Sequence, residues 1–217
     1  MQSRMAVLIA LVFALTVAGC GGDHARVNQT GLDAYRAGDY EKARGAFTLA
    51  IEYEPKMGNY YFNCGMAEQA LGNLDRALAD YGLAVKLAPS IVAAYQAMAQ
   101  CYIEKGQPDV ALEALVTGAR ANPYTADPYI NVAAFHLARG DLDSAKLWLA
   151  KATEAEPQSA RAHYQYGLLL ARTGEHAKAV EEFQKSLEID PVQPEVSAKL
   201  TELAPTGRQL PEPKPQP

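Results

Sequence analysis

The chain is short of cysteine, histidine and clustered positive charge, and each shortage removes a class of function. Three cysteines in 217 residues are too few and too scattered for a disulfide-built scaffold, and no two stand as CxxC for zinc or redox work. Twenty Lys and Arg against 25 Asp and Glu leave a net charge of −5. With no run of Lys and Arg interleaved with aromatics, nothing condenses the chain on phosphate backbones, and nucleic acid is not expected as a partner. No nucleophile elbow, phosphate loop or EF-hand pattern is present. What remains is 49% hydrophobic and 21% charged, the composition of an ordinary folded protein with a real core.

The N-terminal stretch MQSRMAVLIALVFALTVAGC places Arg4 before an apolar run of about a dozen residues, the length of a signal-peptide core and too short to span a bilayer. Its end, Val17-Ala18-Gly19-Cys20, resembles the lipobox of bacterial lipoproteins. That resemblance implies cleavage after residue 19 and acylation of Cys20, with a membrane contact through the lipid anchor. More than one acyl chain makes such attachment effectively stable, since each buried methylene contributes about 0.8 kcal/mol. Gly21 stands where an aspartate would resemble an inner-membrane retention signal, so the periplasmic face of the outer membrane is the expected location. The outer leaflet of the cytoplasmic membrane is the alternative.

From residue 24 the chain repeats itself every 34 residues. AGDYEKARGAFTLAIEYEP aligns with LGNLDRALADYGLAVKLAP, KGQPDVALEALVTGARANP, RGDLDSAKLWLAKATEAEP and TGEHAKAVEEFQKSLEIDP. Glycines fall at Gly38, Gly72, Gly106, Gly140 and Gly174, and prolines at Pro55, Pro89, Pro123, Pro157 and Pro191. Glycine ends a helix in a conformation that a Cβ resists, and proline cannot continue one. Each period therefore reads as a helical hairpin. Small residues at Gly31, Gly65, Ala99, Ala133 and Gly167 face a large series at Phe47, Tyr81, Leu115, Leu149 and Phe183, because helices approach closely only where one lacks bulk. Further small series run through Ala43, Ala77, Ala111, Ala145 and Ala179, and through Ala50, Ala84, Gly118, Ala152 and Ser186.

This period and pattern resemble the tetratricopeptide repeat. The resemblance implies an all-α fold, a right-handed α-solenoid of five helix-turn-helix units at 24–57, 58–91, 92–125, 126–159 and 160–193. A signal peptide over 1–19 and a lipidated tether over 20–23 precede them. Residues 194–203 are expected to form a capping helix, and 204–217, with five prolines in fourteen residues, an extended or disordered tail. Pro108 opens a second helix, where a missing amide hydrogen is harmless.

In the repeat frame His136, His163 and His176 take phases that usually hold an aromatic and read as packing substitutes, while His24 lies before the first helix. No metal site, cofactor or catalytic residue is expected, and the glutamates read as solvated charges on second helices. Cys64 and Cys101 sit at core-type phases as small buried hydrophobes, with a pairing between them left open. The resemblance implies that first helices line a concave peptide-binding groove formed by Asn28, Leu32, Tyr35, Phe62, Asn63, Met66, Gln96, Gln100, Ile103, Ile130, Asn131, Leu137, Tyr164, Gln165 and Leu168. The two-carboxylate clamp of chaperone-binding members has no counterpart, because its phases hold Gln96, Gln100, Asn131, Arg161 and Gln165. Trp148, on an outer helix, marks either a second contact or a position that accepts aromatics.

The expected function is a membrane-anchored scaffold that holds an envelope protein or a peptide segment of one. In architecture the chain resembles pilotin lipoproteins that assist type IV pilus secretin assembly, and adaptor lipoproteins of peptidoglycan-remodelling enzymes. An enzyme is the weaker class. A homo-oligomer, with the groove taken by the tail or by a second copy, is the third arrangement left open.

Overall fold

The computed structural model describes residues 22–203, and every described element is a helix. In chain order these are α1 (Asp23–Arg36), α2 (Tyr40–Tyr53), α3 (Gly58–Ala70), α4 (Leu74–Leu87), α5 (Val92–Glu104), α6 (Pro108–Ala121), α7 (Ala126–Ala138), α8 (Leu142–Ala155), α9 (Ala160–Arg172), α10 (His176–Ile189) and α11 (Pro194–Leu203). None is long and apolar enough to cross a membrane. Residues 1–21, which hold the expected signal segment and Cys20, and residues 204–217 lie outside the described residues. The chain divides into two compact units, Met1–Ala114 and Leu115–Pro217.

The turns explain the even spacing. Gly38, Gly72, Gly106, Gly140 and Gly174 all have φ between 72° and 81°, the left-handed region that a side chain disfavours. At the first of them Asp39 N–H reaches back to the Ala34 carbonyl and Gly38 N–H to that of Tyr35, both at 3.0 Å. This Schellman closure satisfies carbonyls that the helix end would leave unpaired. The same two bonds recur at the other four glycines. Asp39 and Asp141 then cap α2 and α8 by accepting from Lys42 N–H and Ser144 N–H.

Within the first unit α1 packs on α2 and α3 on α4, α2 leads onto α3 and α4 onto α5, and the first helices α1, α3 and α5 touch in succession. Within the second, α7 packs on α8 and α9 on α10, α7 touches α9, and α11 lies on α10. The small series meets the large one as the pattern requires. A Cβ on Gly31 would come within 2.5 Å of the Phe47 ring, one on Gly65 within 2.7 Å of Tyr81, and one on Gly167 within 2.6 Å of Phe183. Where the large residue is only Leu149, an alanine, Ala133, shares its core. Cα-to-ring contact of this kind brings two helices close enough for dispersion to act along their whole length.

Helix α11 closes the second unit. Val196 and Leu200 are buried with Leu170 and Phe183, and each such apolar side chain contributes about 1.5–3 kcal/mol on burial.

Four side chains depart from the expected placement. His24 lies in the first turn of α1, not before it, and its Nδ1 is 2.7 Å from the Tyr60 hydroxyl. His176 is exposed at the start of α10 and fills no core position. Two glutamates are buried, Glu68 on a first helix and Glu182 on a second, because each has cations and donors to meet it.

Candidate peptide-binding face and its surroundings

Within each unit successive first helices touch, α1 with α3, α3 with α5, and α7 with α9, so residues 34 apart come near one another there. In the first unit Asn63 Nδ2 donates to Asn28 Oδ1 at 2.8 Å, joining α3 to α1. Farther along, Gln69 Nε2 and Gln100 Nε2 both donate to Glu104 Oε1, at 3.4 and 3.1 Å. Each amide so engaged keeps further donor or acceptor capacity for a ligand backbone. Leu32 and Tyr35 are half-buried against the Ala43–Phe47 core, and Phe62 and Met66 against that of Tyr81 and Cys101. The Phe62 and Tyr81 ring centroids lie 5.8 Å apart. Gln96, Gln100 and Ile103 are exposed, Ile103 by 45%.

In the second unit Asn131, Leu137, Tyr164, Gln165 and Leu168 are all half-buried. Ile130 corrects the sequence expectation: it is only 6% exposed and belongs to the core of Ala133, Leu149 and Ala152. Its short branched side chain stays against that core, whereas Phe62 and Tyr164 at the same phase extend beyond it. Arg161, the sole cation at the clamp phases, is held by Asp127 at 2.6 Å.

The buried polar groups form separate insets. Glu68 accepts from Asn73 Nδ2 at 2.7 Å and lies 3.8 Å from Arg44 and 3.9 Å from Arg76. Cys64 and Cys101 are free thiols in separate cores, which resolves the open pairing. Burial, with the neighbouring Asp80 carboxylate, pushes the Cys64 thiol up to about 12, and burial beside Glu104 pushes Cys101 up to about 11. Thiols so raised are poor nucleophiles at neutral pH. Among the described residues no group of His, Cys, Asp and Glu is arranged to hold a metal ion.

One pair of clefts was not anticipated from the sequence. In the hairpin of α7 and α8, Tyr129 and Trp148 lie 6.0 Å apart and Lys151 Nζ sits 4.4 Å from the indole centroid. One period on, the same three phases hold His163, Glu182 and Lys185. There His163 Nδ1 meets Glu182 Oε2 at 2.6 Å, its Nε2 faces the Pro157 carbonyl at 3.1 Å, and Lys185 donates to Glu182 Oε1 at 2.7 Å. Both ring nitrogens thus lie within hydrogen-bond distance of an oxygen. The tie to the proline carbonyl is a repeat feature, since Tyr61 and Tyr129 donate to Pro55 and Pro123 in the same way, at 3.1 and 3.5 Å. Writing the repeats one above another, and comparing positions 129, 148 and 151 with 163, 182 and 185, would have revealed the pairing of the clefts.

Comparison with known proteins agrees with this architecture. The small glutamine-rich tetratricopeptide repeat-containing protein 2 of Saccharomyces cerevisiae is 34% identical over 76 residues, 35% of this chain and 22% of the yeast protein. The match thus spans about a fifth of that relative's length. Among solved structures, the pilF protein of Pseudomonas aeruginosa superposes with a TM-score of 0.60 at 15% identity, over 85% of this chain and 84% of its own. YrrB, described as a repeat protein with an unusual peptide-binding site, gives 0.51 at 18% identity over 88% and 97%. The tetratricopeptide repeat model itself matches residues 28–90 and 136–194. Those segments make up more than half of the chain, and they contain glycine turns and close helix contacts described above, so this protein belongs to the tetratricopeptide repeat family.

Proposed function

We propose that the chain is a lipid-anchored envelope scaffold that holds an extended segment of a partner protein against its first-helix face. The family is one of protein-interaction scaffolds, and the observation that carries the choice of face is the strip in the first unit. Ile103 stands exposed beside Gln100, while amides from α1, α3 and α5 line up as Asn28–Asn63 and Gln69–Glu104–Gln100. An apolar anchor flanked by amides is what an extended segment needs, one part taking a side chain and the other the backbone. The peptide-binding site in YrrB's description is in keeping with such use of this fold.

The membrane part of the reading rests on the Val17–Cys20 motif. Tethering confines scaffold and partner to a thin layer, which raises effective concentration without any new contact. Secretin assembly for a type IV pilus is the pathway we favour, and the fold shared with pilF is compatible with it.

The test has two arms. Mass spectrometry of the mature chain should find an acylated residue 20 as its first, and Cys20→Ala should move the protein from the membrane to the soluble fraction. Capture from solubilised envelope with residues 21–217 should then retain a defined partner that an Ile103→Asp, Gln100→Ala variant of unchanged helicity loses. A secretin would support the pilus pathway; a peptidoglycan hydrolase would support the adaptor reading instead. A partner held equally by the variant would exclude this face.

A further inference from the structure

The clefts of the second unit differ in what is left over for a ligand. The later one, about 420 Å³, has a polar lining that includes Gln158, Glu188, His163 and Lys185, the last two both engaged with Glu182. The earlier one, about 650 Å³, has aromatic walls. Tyr124 at its rim is 83% exposed, and Tyr129, Trp148 and Pro123 continue the surface inward. A large exposed aromatic beside a tilted aromatic pair has no counterpart one period later, where Gln158 replaces Tyr124.

Such a cleft suits a particular ligand chemistry. Proline-rich segments adopt an open left-handed helix with an unspent backbone, and they dock between aromatic rings with little entropy to lose. The chain carries such a segment itself: residues 204–217 follow directly on α11 and place prolines at 205, 211, 213, 215 and 217. Helix α11 lies on α10, whose hairpin adjoins that of α7 and α8. Contacts lead from α11 to α10, from α10 to α9 and from α9 to α8, so with packed helices about 10 Å apart roughly 30 Å separates the tail's attachment from the cleft. Fourteen residues at about 3.1 Å apiece span roughly 40 Å, so the reach is sufficient. The cleft carries Arg120, Lys151 and Glu154, and the proline run carries Glu212 between Pro211 and Pro213 and Lys214 between Pro213 and Pro215, so each charge of the run has an opposite charge to meet.

We propose that the cleft between Tyr124, Tyr129 and Trp148 is a docking site for a proline-rich segment, occupied by the chain's own residues 204–217. It is separate from the first-helix face and stands whether or not that face binds a partner.

Trp148 is the chain's only tryptophan, so its emission reports on this cleft alone. Acrylamide quenching of the full chain should be at least twofold weaker than that of a Pro211→Ser, Pro213→Ser, Pro215→Ser variant, whatever the protein concentration. Adding a synthetic peptide of residues 204–217 to the variant should restore the shielding saturably, and a further Tyr124→Ser change should weaken that peptide about tenfold. Equal quenching in both chains, with no response to millimolar peptide, would overturn the proposal. Shielding that appears only as protein concentration rises would overturn self-docking in favour of a second copy.

Discussion

Hairpins α7–α8 and α9–α10 share a period, a turn and a set of helix lengths, yet they fill equivalent positions with opposite chemistry. Tyr129, Trp148 and Lys151 make an aromatic pair capped by a cation; His163, Glu182 and Lys185 make a hydrogen-bonded polar cluster around a buried carboxylate. Lysine is constant, and what it meets decides the character of the cleft: a ring face in one, a carboxylate in the other. Deeper in, Ala133 with Leu149 replaces Gly167 with Phe183, so bulk lost on one helix is restored on its partner. The backbone is held by turns and helix spacing, while the side-chain solution is chosen hairpin by hairpin.

The strongest way to break that equivalence is to remove one member of the polar cluster. His163→Phe removes the ring nitrogen from Glu182 Oε2 and leaves Lys185 on Oε1, and stripping a hydrogen-bond partner from a buried charged group costs about 3 kcal/mol. A His163→Tyr, Glu182→Trp double variant, which copies α7–α8, should recover most of this in urea unfolding. If the double variant is as unstable as the single one, the two clefts are not interchangeable.

Next in size is the glycine contact. Gly167→Ala places a methyl 2.6 Å from the Phe183 ring, and such overpacking costs about 1–3 kcal/mol. Adding Phe183→Leu reproduces the Ala133–Leu149 arrangement and should show a coupling of about 0.5–3 kcal/mol in a double-mutant cycle. Additive effects would show that the two positions do not share volume.

The smallest effect concerns the tie between these hairpins. Hydrogen bonds from Lys178 and Lys146 hold the Glu175 carboxyl down to about 2, from an ordinary value of 4.5. Because the folded value is the lower, the contribution is complete above pH 4.5 and fades as pH falls toward 2. Unfolding midpoints of the parent and Glu175→Gln should therefore differ at neutral pH and converge over that window. A constant gap down to pH 2 would assign the difference to packing.

Much of this was legible in the sequence, for a physical reason. A turn that needs positive φ accepts little besides glycine, and a Cα-to-ring contact accepts only Gly31, Gly65 or Gly167, so these sites reveal themselves by residue type and spacing. Glu68 and Glu182 did not, since a glutamate on a helix normally reads as solvated and nothing local announces that Arg44, Arg76 or His163 will come to it from another helix. The phase of Ile130 matched Phe62 and Tyr164, but phase fixes a direction and leaves reach to side-chain length. The aromatic cleft was missed because its walls come from three elements, with Trp148 the sole hint.

The glycine turns also bear on how the chain acquires its structure. Each hairpin is closed by bonds spanning three to five residues, so nucleation at one site does not wait for a distant strand to arrive, and order can spread from neighbour to neighbour in either direction. An emerging chain would consolidate its early hairpins while later ones are still being made, and α11 would then cover the apolar side of α10 with Val196 and Leu200.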